Sequence, residues 1–564
     1  MNYRHFETAL YVVNGDINRA KDLAEFQSVH SFFEKYLTIN KVYLETYRTG
    51  NYSNSERLLQ IKRFFQDKGI KTSGGLTTTK PATAQKWGFF CYTQNQDLAE
   101  LKKAIQFTAG LFDEIILDDF YFTNCKCESC RNAKGERSWT EFRLQLMAEV
   151  SQKYIIGPAR EVNPNVKVII KFPNWYEHYQ NNGYNLEDET RIFDLIYTGT
   201  ETRDPVYTQQ HLQSYLSYFL MRYLENVGQG KNQGGWFDNF DCYNPVNFME
   251  QAQLTLFAKA REVTLFCMGS LKYTPEVPLA GYTLERLDQY LGHLGNPMGV
   301  ACYKPYHSSG EDYLHDYLGM LGIPLEPFPE FPANSPVVLL TASAAADDQI
   351  MTKIKQHLEN GKTVVITSGL LKRLGQRGIS ELGIFEYTDK KVQAQRFGCR
   401  LMTCSHYDYC DSARPIELPV IEYSTNDSWI QIAAISGESN VPLLLYNSYD
   451  QGKLFVWIIP DNFPDLYQLP PEVLRQIRET LTPEYPVQIG GKAKIGLFVY
   501  DNNTFIVESF LPHLTEVQLY VKTETGKLQD IVENQEIEAA YHTKDRAVFT
   551  VNLKPGVYKV YKIL

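Results

Sequence analysis

Along the first 270 residues the apolar positions fall into two alternating rhythms. Short apolar or β-branched runs, "FETALYVV", "KVYLETYR", "IKTSGGLTTT", "DEIILDDFYF", "VKVIIKFPNW", "IFDLIYTGTE", "GGWFDNFDC" and "VTLFCMGSL", read as buried strands. Between them lie polar loops and longer stretches such as "SERLLQIKRFFQDKG" and "DLAELKKAIQFTAGL", whose apolar residues recur at three and four positions, the period of an amphipathic helix. Strand and helix alternating eight times over roughly 250 residues predict a (β/α)8 TIM barrel. In such a barrel the polar residues at the C-terminal strand ends converge on one mouth, where the chemistry is done.

After residue 297 the pattern changes. "SPVVLLTAS", "DDQIMTKIKQHLENGKTVVITSG" and "GKLFVWIIPD" predict strands and crossing helices of an open, doubly wound, flavodoxin-like α/β domain. Past about residue 486 the helices stop, and "AKIGLFVYDNNTFIVESF", "TEVQLYVKTETG", "DRAVFTVNL" and "GVYKVYKIL" alternate apolar with polar residues between turn signals, predicting an antiparallel β-sandwich. The expected organisation is a barrel over 1–296, an α/β domain over 297–486 and a sandwich over 487–564.

Composition narrows the partners. A net charge of −10 with no Lys/Arg block argues against nucleic acid or an anionic membrane. No run of apolar residues is long enough to span a bilayer and no leader with a cleavage site is visible, so the chain reads as cytoplasmic, or as periplasmic or secreted if a signal was removed. Tyr and Phe, at 38 and 31, are abundant enough to offer flat apolar faces to sugar rings as well as to fill cores.

The predicted strand ends carry the candidate chemistry. The second ends in Glu45 and Arg48, the fourth in Asp118 and Asp119, and the fifth in Lys171, Asn174 and Trp175; the sixth ends in Glu201 and Arg203, the seventh in Trp236, Asp238 and Asn239. Acids interleaved with amides and indoles are the equipment of a glycosidase: two carboxyls flank the bond, amides bind hydroxyls and indoles stack on the ring. Asp119, Glu201, Asp238 and Asp118 are therefore the catalytic candidates, and Glu45, Arg48, Lys171, Asn174, Trp175, Trp236 and Asn239 the substrate-binding ones. Side chains alternate along a strand, so Asp118 and Asp119 cannot both face the mouth, and the second carboxyl raises the pKa of the first.

Just behind this pair, Cys125, Cys127 and Cys130 form C-x-C-x-x-C. Three thiolates on one loop need a fourth ligand to close a tetrahedral zinc site, and Cys91, ahead of the fourth strand, is the best candidate. Four cysteines leave no open position for water, which makes the expected zinc structural: it would pin the loop after strand four. Catalysis needs no cofactor in this reading.

An acidic motif ending the fourth strand, followed by C-x-C-x-x-C and preceded by one more cysteine, resembles the zinc-bearing β-galactosidases of glycoside hydrolase family 42. The domain order is also similar, and the resemblance implies a glutamine-amidotransferase-like second domain used in trimerisation. In that family the strand-four motif is Asn-Glu with Glu as acid/base. Asp118 and Asp119 stand at the matching positions, so the resemblance implies Asp119 as acid/base and Asp118 in the place of the sugar-binding Asn. The family's nucleophile, a Glu ending strand seven, is matched here by Asp238. Likeness to α-galactosidase-type barrels implies instead an acid on strand six, Glu201 in "TGTETRD". Spacing leaves Glu201 and Asp238 both open, and with them retention or inversion.

The amidotransferase chemistry needs a cysteine nucleophile, whereas the turn "VVITSGLL" has Ser368, and His307 stands alone among Ser and Gly; the second domain reads as an oligomer interface. The expected function is hydrolysis of a terminal glycosidic bond in a galactoside or related hexoside. Two rivals are a non-catalytic carbohydrate-binding or assembly protein on the same barrel, and a lyase acting on a modified sugar with Lys171 or Tyr176 as base.

Overall fold

The computed structural model describes residues 3–83, 86–375, 377–400 and 407–564. Contacts divide the chain into two compact units, residues 1–292 and 293–564.

The first unit is the predicted barrel. Its eight parallel strands are β1 (Glu7–Val12), β2 (Lys41–Arg48), β3 (Lys71–Leu76), β4 (Glu114–Leu117), β5 (Lys167–Phe172), β6 (Leu195–Gly199), β7 (Asn232–Asp238) and β8 (Glu262–Phe266). The sheet closes because β1 pairs with both β2 and β8. Each predicted apolar run holds one strand. The two amphipathic stretches form helices Ser55–Asp67 and Asn95–Ala109; the first is capped by the Asn54 side chain, which accepts from Arg57 N, and buries Leu58, Ile61 and Phe65.

Alternation along the strands fills the interior with Ala9, Tyr11, Tyr43, Ile116, Ile169, Tyr197 and Trp236. The N-terminal end is closed by a buried polar network in which Glu262 accepts from Lys41 Nζ at 3.2 Å, Tyr43 OH at 2.8 Å and Tyr197 OH at 3.0 Å. Packing there leaves the C-terminal ends as the open face.

The second unit holds two sheet systems. In one, parallel strands 300–303, 325–328, 337–340, 363–367 and 452–457 follow the predicted α/β pattern, but residues 385–449 add four antiparallel strands that the doubly wound reading did not contain. Their polar faces are exposed, so their alternation resembled loop. In the other, residues 487–563 supply a four-stranded sheet and five strands of a six-stranded one, which pack around Leu497, Phe505, Val507, Leu519 and Phe549 as the predicted sandwich. Pro297–Met298, expected to open the α/β domain, pairs instead with Val499 and Tyr500 of this sandwich. Among the described residues no helix is long and apolar enough to cross a membrane.

Gly75 on β3 faces Tyr11, and a Cβ there would lie 2.5 Å from the tyrosine hydroxyl. Gly75→Ala should therefore cost about 1–3 kcal/mol of overpacking, read as a lower midpoint in urea unfolding; unchanged stability would show that the interior has slack there.

Candidate active site

The mouth is built around charge. Asp118 follows β4 directly and accepts from Arg48 Nη2 at 3.0 Å, Thr77 Oγ1 at 3.1 Å and the Asp119 amide at 2.8 Å. Burial pushes its carboxyl up, but Lys171 and Arg48 outweigh that and hold it below the ordinary carboxylate range. Glu45, wholly buried, receives Arg48 Nε at 2.9 Å on both oxygens, Tyr11 OH at 3.0 Å, Thr77 Oγ1 at 2.7 Å and Asn14 N at 2.7 Å. With its lone pairs committed, Glu45 orients Arg48 and does not itself reach a ligand; this corrects its expected place as a binding residue.

Lys171, on β5, is the centre of the site. It is 2% exposed, and its ammonium donates to Asp119 Oδ2 at 2.6 Å and Glu201 Oε1 at 2.7 Å, with Asp118 Oδ1 at 3.8 Å. Beneath it lies the Trp236 ring, its centroid 4.5 Å away. Burial disfavours the ammonium, but three carboxylates more than compensate and hold Lys171 above the ordinary lysine range. A lysine so firmly protonated has no lone pair to act as base, which removes the chemical ground for the lyase reading at this residue. The other base candidate of that reading, Tyr176, is buried at 2% exposure.

Asp119 is the least enclosed of the four acids, with 12% of its side chain exposed. Burial, followed by repulsion from Asp118 and Glu201, overcomes the pull of Lys171 and raises it from 3.8 to about 7. Glu201 is also raised, chiefly by burial and further by Asp238, against Lys171. Its Oε2 is buried and without a hydrogen-bond partner among the described residues, facing Gly199, where a Cβ would come within 2.6 Å. Lying 2.6 and 2.7 Å from the same nitrogen, Asp119 Oδ2 and Glu201 Oε1 are no more than 5.3 Å apart.

Asp238 has a different partner. Arg203 binds it two-pronged, Nε to Oδ1 at 3.0 Å and Nη2 to Oδ2 at 2.7 Å, and the Phe240 amide adds a bond to Oδ1 at 3.1 Å. Asn174 donates to the Glu201 carbonyl at 2.6 Å and so supports the β6 loop. Asn239 donates to the Ser270 carbonyl at 3.4 Å, while its Oδ1 has no partner among the described residues. Trp175 is half-buried after β5, but Trp236 is 1% exposed and stacks on Phe266, so it is a core ring and not the expected sugar platform. Thr77, Tyr11 and Tyr184, whose hydroxyl donates to the Asp119 carbonyl, complete the support and were not singled out from the sequence. Thr77 follows the strand's last residue, Leu76, in the run "SGGLTTT" and was legible there; nothing local marks Tyr184.

The four expected cysteines meet. Cys91 Sγ lies 3.6 Å from Cys127 Sγ and 3.5 Å from Cys130 Sγ, and all four sulfurs, Cys125 included, fall within 4.8 Å of one another. A tetrahedron of sulfurs about 2.3 Å from zinc has edges of roughly 3.8 Å, so the donor set and its spacing fit that ion. In the second unit Ser368 is buried, its hydroxyl accepting from Ile459 N at 3.0 Å, and the neighbouring Gly369 amide donates to the Glu311 carboxylate at 3.2 Å.

A closed parallel barrel whose strands four to seven bring opposed carboxyls to one mouth is the construction of a barrel glycosidase. Residues 1–281 match the family model "Probable glycosyl hydrolase, catalytic domain", residues 295–462 match "Uncharacterized protein SSO3021, second domain", and residues 486–563 match "Probable glycosyl hydrolase, C-terminal domain". The chain belongs to this glycosyl hydrolase family, as a divergent member with the architecture of family 42. A curated relative, the uncharacterized protein SSO3021 of Saccharolobus solfataricus, is 24% identical over 523 residues, 84% of this chain and 85% of that protein. The fold is shared with Gan42B, a family 42 β-galactosidase, at a TM-score of 0.67 and 11% identity over 100% of this chain and 99% of that one. It is shared too with α-L-fucosidase isoenzyme 2 from Paenibacillus thiaminolyticus, at 0.66 and 13% identity over 100% of both chains.

The raised Asp119 has a thermodynamic signature. Between its unfolded value of 3.8 and its folded value of about 7 the native state holds a proton that the unfolded chain has lost. Stability from this group is thus full below the lower value and falls as pH rises through the window. Asp119→Asn should flatten the decline of unfolding free energy from about pH 4 to 7, measured by urea titration; an unchanged slope would place the proton elsewhere.

Proposed function

We propose that the protein is a retaining glycosidase that removes a terminal galactose or related hexose, with Asp119 as acid/base and Glu201 as nucleophile. The observation that carries this reading is the single ammonium of Lys171 shared by the two carboxyls. It favours Glu201 over Asp238 as the second acid, since Asp238 is neutralised by Arg203. The bonded oxygens lie at most 5.3 Å apart, which is compatible with the retaining spacing of about 5–5.5 Å between carboxyl groups.

Asp119, protonated near neutrality, gives its proton to the leaving oxygen while Glu201 attacks the anomeric carbon. A glycosyl–Glu201 ester forms as the glycosidic C–O bond breaks. Water, deprotonated by the Asp119 carboxylate, then releases the sugar and restores both groups. Lys171 stabilises Asp119 as it becomes charged. In this reading Arg48, Asp118, Arg203, Asp238 and Asn239 bind ring hydroxyls, with Trp175 at the rim. The sugar class follows the family 42 resemblance, supported by structural neighbours named for a galactoside and for a fucoside. Zinc held by Cys91, Cys125, Cys127 and Cys130 would supply no chemistry to the reaction and would fix the loop behind Asp119. The second unit would serve self-association, as the trimer of the resemblance implies.

The test is hydrolysis of aryl α- and β-glycosides, galactosides foremost, together with a disaccharide. Wild type should cleave one anomer with retention. Asp119→Asn should lose about 10²–10⁴-fold on the disaccharide and less on aryl glycosides with activated leaving groups, whereas Glu201→Gln should fail on all. Full activity in either variant, or sugar binding by wild type without cleavage, would refute the assignment.

A further inference from the structure

Arg143, on the helix Trp139–Val150, is an anomaly among the buried groups. It is 7% exposed, and its Nη1 donates to the Asn181 carbonyl at 2.5 Å, but Nε and Nη2 are buried without a hydrogen-bond partner among the described residues. Trp139, Phe142 and Leu146 of the same helix pack against the four cysteines, and the Arg143 guanidinium lies over the Trp139 ring, 5.0 Å from the centroid. A buried cation with two unsatisfied donors is costly, and neutral thiols do not repay it. Four thiolates around a divalent metal carry a net charge of −2, which would give Arg143 its counter-charge. Other donors already surround the sulfurs: Thr93 Oγ1 lies 3.3 Å from Cys91 Sγ and 3.2 Å from Cys130 Sγ.

The opposite side of Arg143 leads to the site. Asn181 belongs to the short helix Tyr179–Asn182, which ends at Gly183 with φ of +83°. A side chain at Gly183 would also meet Met147 Cγ at 2.7 Å and the Arg143 carbonyl at 3.1 Å, so the turn is seated directly on the Arg143 helix. The Asn182 carbonyl accepts from Thr123 N at 2.9 Å, on the segment between the acidic pair and the cysteines. The next residue, Tyr184, is buried and holds the Asp119 carbonyl through its hydroxyl.

We propose that Arg143 is a positioning residue that couples the metal cluster to Asp119, its guanidinium serving as counter-charge to the loaded thiolates while Nη1 holds the 181–184 turn that carries Tyr184. This rests on the zinc reading above, and it goes beyond it in assigning the metal a route to the catalytic acid other than the cysteine loop.

The experiment uses the full chain. Zinc affinity is measured by chelator competition for wild type, Arg143→Met and Arg143→Lys, and amide hydrogen exchange is followed over residues 179–186 with zinc bound and removed. Arg143→Met should bind zinc about 10–100-fold more weakly, with Arg143→Lys between it and wild type. Zinc removal from wild type should speed exchange over the turn, and zinc-loaded Arg143→Met should already exchange at that faster rate. Wild-type zinc binding with exchange that does not respond to its removal would overturn the coupling and leave the metal reading standing. A wild type that takes up no zinc at the four cysteines would overturn both. The wild-type comparison can overturn the coupling even if neither variant folds.

Discussion

The mouth of this barrel depends on one buried ammonium. Asp118, Asp119 and Glu201 are gathered into a dry space where mutual repulsion would drive each to take up a proton, and Lys171 is the charge that lets them coexist. Because it donates equally closely to Asp119 and Glu201, it also fixes their spacing. A second cation, Arg48, draws Asp118 down, while Asp119 and Glu201 are raised, and a third, Arg203, pairs with Asp238.

Around that centre the structure is arranged in layers of support. Glu45 spends all its bonding on Arg48, Tyr11, Thr77 and an amide, and so holds the guanidinium that holds Asp118. Behind Asp119 lie the Tyr184 hydroxyl and the cysteine loop. The loop after β4 is therefore tied at both ends: near Asp119 by hydrogen bonds, and some six residues on by four converging sulfurs.

Much of this was legible in the sequence, because the signals were periodic or chemical. Eight apolar runs gave eight strands, and their polar ends did converge. The C-x-C-x-x-C spacing and the lone Cys91 came together although 34 residues separate Cys91 from Cys125. What could not be read was partnership. Glu45 and Trp236 sit at strand ends like the other candidates, yet one is enclosed by four donors and the other faces the barrel core, and residue type does not distinguish these from open positions. The preference proposed for Glu201 over Asp238 rests on which cation each meets, a matter of side-chain reach across strands. The antiparallel strands of 385–449 were missed because two-sided exposure weakens the alternation on which strand reading rests.

The central claim, that Lys171 pairs Asp119 with Glu201 as the working acids, is tested most directly by trapping the glycosyl–enzyme ester with a 2-deoxy-2-fluoro galactoside and locating the label by peptide mass spectrometry. The account predicts one equivalent of label on Glu201. Label on Asp238 or Asp119, or turnover by inversion with no trapped ester, would contradict it.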